Sequence, residues 1–239
     1  MATYVLVHGG GHGGWCYQGV ARLLQAEGHH VYTPTLTGLG ERSHLLSPAI
    51  GLDLQIDDVV SLLHFEDLRD VILVGHSYGG MVVTGVADRA TERVGRLVYL
   101  DAANPKNGQS LVDVAGAVIT WTRDQGKVVD GVELVLWPTA EVIAAYGVTD
   151  PGTVAWMQDR LTPHPWRCFE QPLMLRNEDA LWAIPQYHIV CEQTLPTRDR
   201  ALLDKARAEN RLWTIDTGHD LMITEPRWVA DALREVAGR

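Results

Sequence analysis

The segment Val71-Ile-Leu-Val-Gly-His-Ser-Tyr-Gly-Gly80 contains a short β-branched apolar run, a serine flanked by glycines and the start of a second apolar run. The first run has the composition of a buried strand, and the residues after Gly80 can cover one face of a helix. A serine in the pattern Gly-x-Ser-x-Gly between a strand and a helix sits on a sharp turn that exposes its hydroxyl. Glycine is needed two residues to either side because a Cβ there would clash within the turn. The sequence therefore predicts that Ser77 is a nucleophile.

A histidine that could serve as the base for this serine lies near the C-terminal end of the chain. His219 follows the last predicted strand, residues 212–215, and precedes the last predicted helix. In a serine hydrolase the histidine takes the proton of the nucleophile and returns it to the leaving group. Of the ten histidines only His219 stands in a loop after the final strand, so we expect it to be the base.

A glycine-rich segment after the first predicted strand, His8-Gly-Gly-Gly-His-Gly-Gly-Trp15, predicts an oxyanion hole. One backbone N–H is expected from Gly10 and the other from Tyr78, the residue after the nucleophile. The same glycines match the Gly-x-Gly-x-x-Gly pattern of dinucleotide sites, but the second predicted strand ends without an acidic residue to hold a ribose. His8 and His12 are spaced like a metal-binding pair, yet a helix through four glycines is implausible. We therefore expect no cofactor and no metal, and we assign His12 to substrate binding.

Short β-branched runs alternate with segments of helical periodicity along most of the chain. This alternation predicts an α/β fold with a mostly parallel sheet and helices on both faces. Six strands are expected, at residues 3–7, 30–33, 71–74, 97–100, 187–191 and 212–215. Five helices are expected, at residues 15–27, 52–64, 78–89, 197–208 and 227–237.

The alternation stops between residues 104 and 185, a stretch that holds five of the eight tryptophans and most of the prolines. We therefore expect a core of residues 1–103 and 186–239 and an inserted cap of residues 104–185. Aromatic-rich segments beside a catalytic turn often line a pocket for an apolar or aromatic ligand, although tryptophans also serve to pack a cap onto a core. Trp121 and Trp137 are the expected substrate contacts.

The composition is that of an ordinary globular protein, since 46% of the 239 residues are hydrophobic and 21% are charged. The chain has 30 acidic and 20 basic residues, and its charge of −10 disfavours nucleic acid and anionic membranes as partners. No apolar stretch reaches the roughly 20 residues of a membrane-spanning helix, and the first apolar run begins too early for an export signal. The three cysteines form no Cys-x-x-Cys pair and indicate neither a disulfide framework nor a zinc site. We expect a cytoplasmic protein.

These motifs, together with Leu36-Thr-Gly-Leu-Gly-Glu-Arg-Ser43 and Gly218-His219, resemble those of the plant methylesterase and hydroxynitrile lyase group of α/β-hydrolases and its bacterial esterase relatives. The resemblance covers nearly the whole chain. It implies a cofactor-free serine hydrolase fold with a mobile cap, activity on small esters and, often, a homodimer. Lyases of this group carry a threonine at the position of Gly9 and a lysine at the position of Asp220, so the resemblance favours the esterase branch.

The acid that completes the triad of this family stays open at the level of the sequence. In the family it follows the strand that corresponds to residues 187–191, but here the chain reads Cys191-Glu-Gln-Thr-Leu-Pro196 without the expected aspartate. Asp101 is the first candidate because it ends the strand after the nucleophile strand, a location that some α/β-hydrolases use. The alternative for Asp101 is a capping role in the following turn. Glu192 is the second candidate and Asp199 the third.

Together these residues predict a serine hydrolase that cleaves a small carboxylic ester through an acyl-enzyme on Ser77. Its expected partner is a small-molecule ester with an apolar or aromatic part. A second possibility keeps the fold and changes the reaction, to cyanohydrin cleavage or acyl transfer. A third is a small-molecule receptor, in which a pocket with an incomplete triad binds its ligand with little or no turnover.

Overall fold

Two sheets organise the chain, whose computed structural model describes residues 1–239 except for the side chains of residues 117 and 118. The described strands, in chain order, are β1 (Thr3–Val7), β2 (His30–Tyr32), β3 (Val71–His76), β4 (Val94–Leu100), β5 (Lys127–Val129), β6 (Val132–Val135), β7 (His164–Pro165), β8 (Gln186–Cys191) and β9 (Leu212–Ile215). Six of them form a parallel sheet in the order β2-β1-β3-β4-β8-β9. β5, β6 and β7 form an antiparallel sheet. The predicted α/β fold with a mostly parallel sheet is confirmed.

Helices cover both faces of the parallel sheet, which explains why β3 is buried along its whole length. The described helices are α1 (Gln18–Ala26), α2 (Leu52–Phe65), α3 (Gly79–Arg89), α4 (Leu111–Asp124), α5 (Ala140–Ala145), α6 (Pro151–Gln158), α7 (Arg167–Glu170), α8 (Glu178–Ala183), α9 (Arg200–Ala208), α10 (Leu221–Thr224) and α11 (Pro226–Ala237). α1 and α11 pack together on one face, whereas α2 and α3 pack together on the other. None of these helices combines the length and the apolar character that crossing a membrane requires.

The strand order brings the predicted site residues to one edge of the sheet. The connection from β1 to β2 runs in one direction along the sheet and that from β2 to β3 runs in the other, so β1 and β3 are neighbours at a topological switch point. Ligands of open parallel sheets bind in the crevice outside the carboxyl ends of such strands. The glycine-rich loop from His8 follows β1, Ser77 follows β3 and Asp101 follows β4, which lies next to β3.

Residues 104–185, between β4 and β8, contain α4 to α8 and the antiparallel sheet. The sequence pattern predicts no strand here, because β5, β6 and β7 span only two to four residues and are too short to show a periodicity. This insertion reaches two loops of the core. Thr162 N–H donates to Gly11 O at 2.9 Å, and Asp220 N–H donates to Tyr146 O at 3.0 Å.

Two helices of the core begin later than the periodicity predicts. The residues Gly14–Tyr17 form a 3-10 turn, so α1 begins at Gln18. The side chain of Asp199 accepts a hydrogen bond from Leu202 N–H at 3.1 Å and caps α9, which therefore begins at Arg200.

Candidate active site

Ser77 lies at the tight turn between β3 and α3, with a backbone φ of 52°. This left-handed conformation costs a serine roughly 1–2 kcal/mol, so the surrounding structure must hold it in place. The Ser77 carbonyl accepts a hydrogen bond from Ala103 N–H at 3.0 Å. A Cβ on Gly75 would lie 2.6 Å from Gly79 O, and one on Gly79 would lie 2.7 Å from Val7 O. Both glycines are therefore required by close backbone approaches, within the turn for Gly75 and between the turn and the end of β1 for Gly79.

The side chain of His219 is paired with Asp101, since Nδ1 of the ring lies 2.6 Å from Oδ2 of the carboxylate. A carboxylate only accepts hydrogen bonds, so Nδ1 carries the proton of a neutral ring and Nε2 keeps its lone pair. His219 and Ser77 line the same cavity. A neutral His219 can thus accept a proton at Nε2 beside the cavity that the serine also lines.

Asp101 is almost completely buried, with 1% of its surface exposed, directly after β4. Its Oδ1 accepts hydrogen bonds from Thr194 Oγ1 at 2.5 Å and from Arg198 Nη2 at 2.7 Å. Burial alone would raise the pKa of Asp101, but the hydrogen bond and charge of His219 and the charge of Arg198 outweigh it and hold the pKa well below its usual range. The carboxylate is therefore ionised at neutral pH, as a group that stabilises a histidine cation must be.

Neither of the other two acids considered from the sequence is a hydrogen-bond or ion-pair partner of His219 in the described part of the chain. Glu192 is exposed, and the Asp199 carboxylate caps α9. Thr194, which stands in the loop where the family acid is missing, donates its hydroxyl proton to Asp101 instead. The loop after β8 thus supports the carboxylate that follows β4.

Arg198 contributes to the site without a signal in the sequence. Its Nη2 donates to Asp101 O at 2.9 Å as well as to the carboxylate, and its Nη1 donates to Ala102 O at 2.8 Å. It lies 97 residues from Asp101 along the chain and belongs to no motif. The sequence indicates Arg198 only indirectly, because a buried carboxylate such as Asp101 needs a nearby hydrogen-bond donor or cation.

Gly10 and Tyr78, the predicted oxyanion-hole donors, both line the cavity. The peptide before Gly10 is held by His8, whose Nδ1 donates to Gly9 O at 2.9 Å while its Nε2 accepts from Leu36 N–H at 3.0 Å. In a trans peptide the N–H points away from the carbonyl, so this bond turns the Gly10 N–H away from His8.

His12 is expected from the sequence to bind substrate, but it is not among the described residues that line the cavity. Its side chain is 1% exposed. Its Nδ1 lies 2.8 Å from Gly10 O and its Nε2 lies 3.0 Å from Asp220 Oδ2. The glycine-rich turn directs this ring behind the oxyanion loop, an orientation that residue spacing alone does not reveal.

The cavity beside Ser77 has a volume of about 550 Å³ and mostly apolar walls. Sites for small molecules commonly measure roughly 300–1,000 Å³. The insertion supplies part of the wall through Trp121, Leu136 and Phe169. Leu136 and Phe169 pack directly against Gly10, and Leu136 adopts a left-handed φ of 55°. A leucine in this conformation is uncommon and indicates that its position beside the loop is tightly constrained.

Of the two tryptophans predicted to contact substrate, Trp121 lines the cavity and Trp137 does not. Trp137 Nε1 donates to Leu134 O at 3.3 Å, and Lys127 Nζ lies 4.8 Å from the centroid of its ring. Trp137 therefore packs against the β5–β6 hairpin, and its neighbour Leu136 takes the position beside the cavity.

Four buried histidines with a lowered pKa, His164 among them, make the stability of the protein depend on pH. Burial lowers the pKa of His8 and His76 to about 3 and that of His188 to about 4. A histidine of the unfolded chain titrates near pH 6.5, so below about pH 6.5 the unfolded state binds more protons than the folded state. The free energy of unfolding therefore falls as the pH falls, by about 1.4 kcal/mol per pH unit for each such histidine.

The substitution His188→Phe tests this dependence, because a phenylalanine can keep the stacking on Tyr99. The slope of unfolding free energy against pH, measured by urea denaturation between pH 5 and 6, is expected to decrease by about 1.4 kcal/mol per pH unit. His64→Phe, on the exposed side of α2, is the matched control and should leave the slope unchanged. An equal slope in His188→Phe and the wild type would show that His188 is protonated in the folded state.

Comparisons with known proteins show which family this chain belongs to. The profile of the alpha/beta hydrolase family matches residues 4–232. A carbendazim-hydrolysing esterase from Nocardioides sp. (strain SG-4G) is 36% identical over 246 residues, with 98% of each chain covered. Among solved structures, a methylesterase from Arabidopsis has a TM-score of 0.75 and 25% identity, covering 100% of this chain and 99% of its own. An extracellular α/β-hydrolase from a Paenibacillus species has a TM-score of 0.79 and 22% identity, covering 98% of each chain. The serine turn between β3 and α3, the parallel sheet around it and these matches lead to one conclusion: the chain belongs to the alpha/beta hydrolase family.

Proposed function

We propose that the protein is a serine esterase that cleaves a small carboxylic ester through an acyl-enzyme on Ser77. The observation that carries the proposal is the 2.6 Å contact between His219 Nδ1 and Asp101 Oδ2, beside a cavity that Ser77 also lines. This contact fixes which ring nitrogen is free to accept the serine proton. The name of the Nocardioides relative, an esterase, supports the same class of bond.

In the first half of the reaction His219 Nε2 takes the proton of Ser77 while the serine oxygen attacks the ester carbonyl carbon. The carbonyl oxygen becomes an oxyanion that the N–H groups of Gly10 and Tyr78 stabilise. The bond to the alcohol then breaks, and His219 gives its proton to the departing oxygen. In the second half a water molecule gives a proton to His219 and attacks the acyl carbon; the bond between Ser77 Oγ and that carbon then breaks, His219 returns the proton to Ser77, and the carboxylic acid leaves. Asp101 orients the ring and stabilises its cation in both halves.

The substrate that fits this cavity is small and largely apolar. Trp121, Leu136 and Phe169 provide an aromatic and aliphatic wall, so an ester with an aromatic or branched aliphatic part is favoured. The insertion of residues 104–185 thus serves as the cap of the site. A cytoplasmic location and a homodimer remain predictions from the sequence.

Two features favour the esterase over a cyanohydrin lyase. A Cβ on Gly9 would lie 2.8 Å from both His76 Nδ1 and Ser77 Cβ, so the threonine of the lyase branch would require rearrangement here. Asp220, at the position of the lyase lysine, is a buried carboxylate paired with His12. The lysine cation that follows the histidine in the lyases is thus replaced by the Asp220 carboxylate, which contacts the buried His12.

The receptor hypothesis loses its main support once Asp101 is considered. That hypothesis depends on a triad without an acid, and the Asp101 carboxylate occupies the place of the acid at His219 Nδ1. The Asp101 carboxylate, which is bonded to Thr194, Arg198 and His219, therefore favours an enzyme over a receptor.

A substrate panel tests the proposal. The purified protein is incubated with p-nitrophenyl acetate, methyl benzoate, carbendazim and mandelonitrile, and products are separated by liquid chromatography. We expect acid and alcohol from at least one ester and no benzaldehyde above the buffer control. Benzaldehyde as the main product would instead establish a lyase, and ligand binding without any turnover would establish a receptor.

A further inference from the structure

Three buried side chains that the reaction does not use meet behind the site. His12, His76 and Asp220 are each no more than 1% exposed. We call them the buried cluster. Each stands next to a residue of the proposed machinery: His76 precedes Ser77, Asp220 follows His219, and His12 lies two residues after Gly10. The cluster therefore connects the loops after β1 and β9 with the end of β3.

The hydrogen bonds of His12 define where its protons lie. Its Nδ1 lies 2.8 Å from the carbonyl of Gly10, which can only accept, so Nδ1 must donate. Its Nε2 lies 3.0 Å from Asp220 Oδ2. Burial alone would lower the pKa of His12, but the charge and hydrogen bond of Asp220 outweigh it and raise this pKa. Both ring nitrogens of His12 therefore donate, one to the oxyanion loop and one to the residue after His219.

His76 joins the same cluster as a neutral ring. Its Nε2 donates to the carbonyl of His219 at 2.9 Å and lies 3.7 Å from Asp220 Oδ1. Burial lowers the pKa of His76, so this ring does not compete with His12 for the charge of Asp220. The cluster thus contains one cation and one anion, and its bonds end on the carbonyls of Gly10 and His219.

We propose that His12 and Asp220 are a positioning pair, whose hydrogen bond holds the oxyanion loop and the His219 loop at the separation that catalysis requires. The inference rests on the proposed function, since it acts through the Gly10 N–H and the His219 ring. A displacement of either group by about 1 Å can cost roughly a hundredfold in rate. Neither His12 nor Asp220 lines the described cavity, so the pair acts on the reacting geometry and not on substrate contacts.

The test compares Asp220→Ala with Asp220→Asn. Alanine leaves His12 Nε2 buried without a partner, and the loop that carries Gly10 is free to shift. Asparagine can donate its amide proton to Nε2 of a neutral His12, whose Nδ1 still donates to Gly10. We expect Asp220→Ala to lower kcat by about tenfold to a hundredfold with KM within twofold, and Asp220→Asn to stay within about threefold of the wild type.

Two controls separate positioning from folding. Asp88→Ala removes another buried carboxylate, which accepts backbone N–H groups of Arg176 and Asn177, and should lower the melting temperature without changing kcat. Rates are expressed per active site, titrated with diethyl p-nitrophenyl phosphate. Inhibition by phenylboronic acid, whose serine adduct is a tetrahedral anion, should weaken in Asp220→Ala by the same factor as kcat/KM.

The proposal is overturned if Asp220→Ala keeps kcat per titrated site within twofold, or if Asp220→Asn loses as much as Asp220→Ala. If Asp220→Ala does not fold, His12→Gln is measured instead. The glutamine amide can reach only one of the two acceptors of His12, Gly10 O and Asp220 Oδ2, so the substitution should cause a comparable loss in kcat. A kcat within twofold in His12→Gln then overturns the proposal. Failure of the proposed function looks different, since the wild-type protein itself would turn over no ester.

Discussion

Replacing Ser77 with alanine is expected to lower kcat for a p-nitrophenyl ester by about 10⁵-fold to 10⁶-fold, the scale found when the nucleophile of a serine hydrolase is removed. Alanine has no oxygen to form the acyl-enzyme, so only direct attack by water remains. Alanine and serine both carry a Cβ, so the cost of the left-handed φ at this position stays the same and the melting temperature should be preserved. Steady-state release of p-nitrophenolate measures the change.

Ser61→Ala provides the control for this experiment, since Ser61 is an exposed serine on α2 and its loss should leave kcat unchanged. Binding of the carboxylic acid product to Ser77→Ala, measured by calorimetry, should persist because the cavity walls are intact. An activity in Ser77→Ala within tenfold of the wild type would assign the chemistry to another nucleophile.

The substitution Asp101→Asn is expected to lower kcat by about 10⁴-fold, as happens when the acid of a triad becomes an amide. The contacts of Asp101 determine the orientation of the new side chain. Oδ1 accepts from Thr194 and Arg198, which only the amide oxygen can continue to do. The NH₂ group must then face His219 Nδ1 and donate to it. The ring is thereby held in the tautomer with its proton on Nε2, which cannot accept a proton from Ser77.

The pH profile of Asp101→Asn distinguishes this cause from a loss of folding. At high pH a water or hydroxide ion can replace the base, so the residual rate should increase with pH while the circular dichroism spectrum matches that of the wild type. Glu192→Gln is the matched control, because Glu192 is exposed in the loop where the family acid is expected, and its kcat should stay within twofold. A large loss in Glu192→Gln with a small one in Asp101→Asn would contradict the assignment of the acid.

The sequence is most informative where a local pattern determines the backbone. Ser77 and its flanking glycines lie within the five residues from Gly75 to Gly79, and the turn they form depends on contacts within and next to that segment. Asp101 and His219 are 118 residues apart, yet both follow strands of one parallel sheet, whose carboxyl ends meet at the same edge. The predicted strand ends, together with the location that some α/β-hydrolases use for their acid, therefore make Asp101 the first candidate.

The residues that the sequence could not identify depend on contacts between distant segments. Trp121 and Trp137 lie in the same tryptophan-rich segment, so the sequence does not distinguish them. Only the packing of the insertion places Trp121 beside the cavity and Trp137 on the β5–β6 hairpin. Arg198 and His12 make their key contacts with Asp101 and Asp220, 97 and 208 residues away. Side-chain orientation in a glycine-rich turn follows no periodicity, so His12 could not be assigned to the interior in advance.

The central assignment is that Ser77 is the nucleophile, and covalent labelling of the protein tests it most directly. The protein is treated with diethyl p-nitrophenyl phosphate, and the labelled peptide is identified by mass spectrometry. We expect about one p-nitrophenolate to be released per chain and a diethylphosphoryl group to be found on Ser77. Esterase activity should be lost in proportion to this labelling. Esterase activity that survives complete labelling of Ser77, or inactivation with the label on another residue, would contradict it.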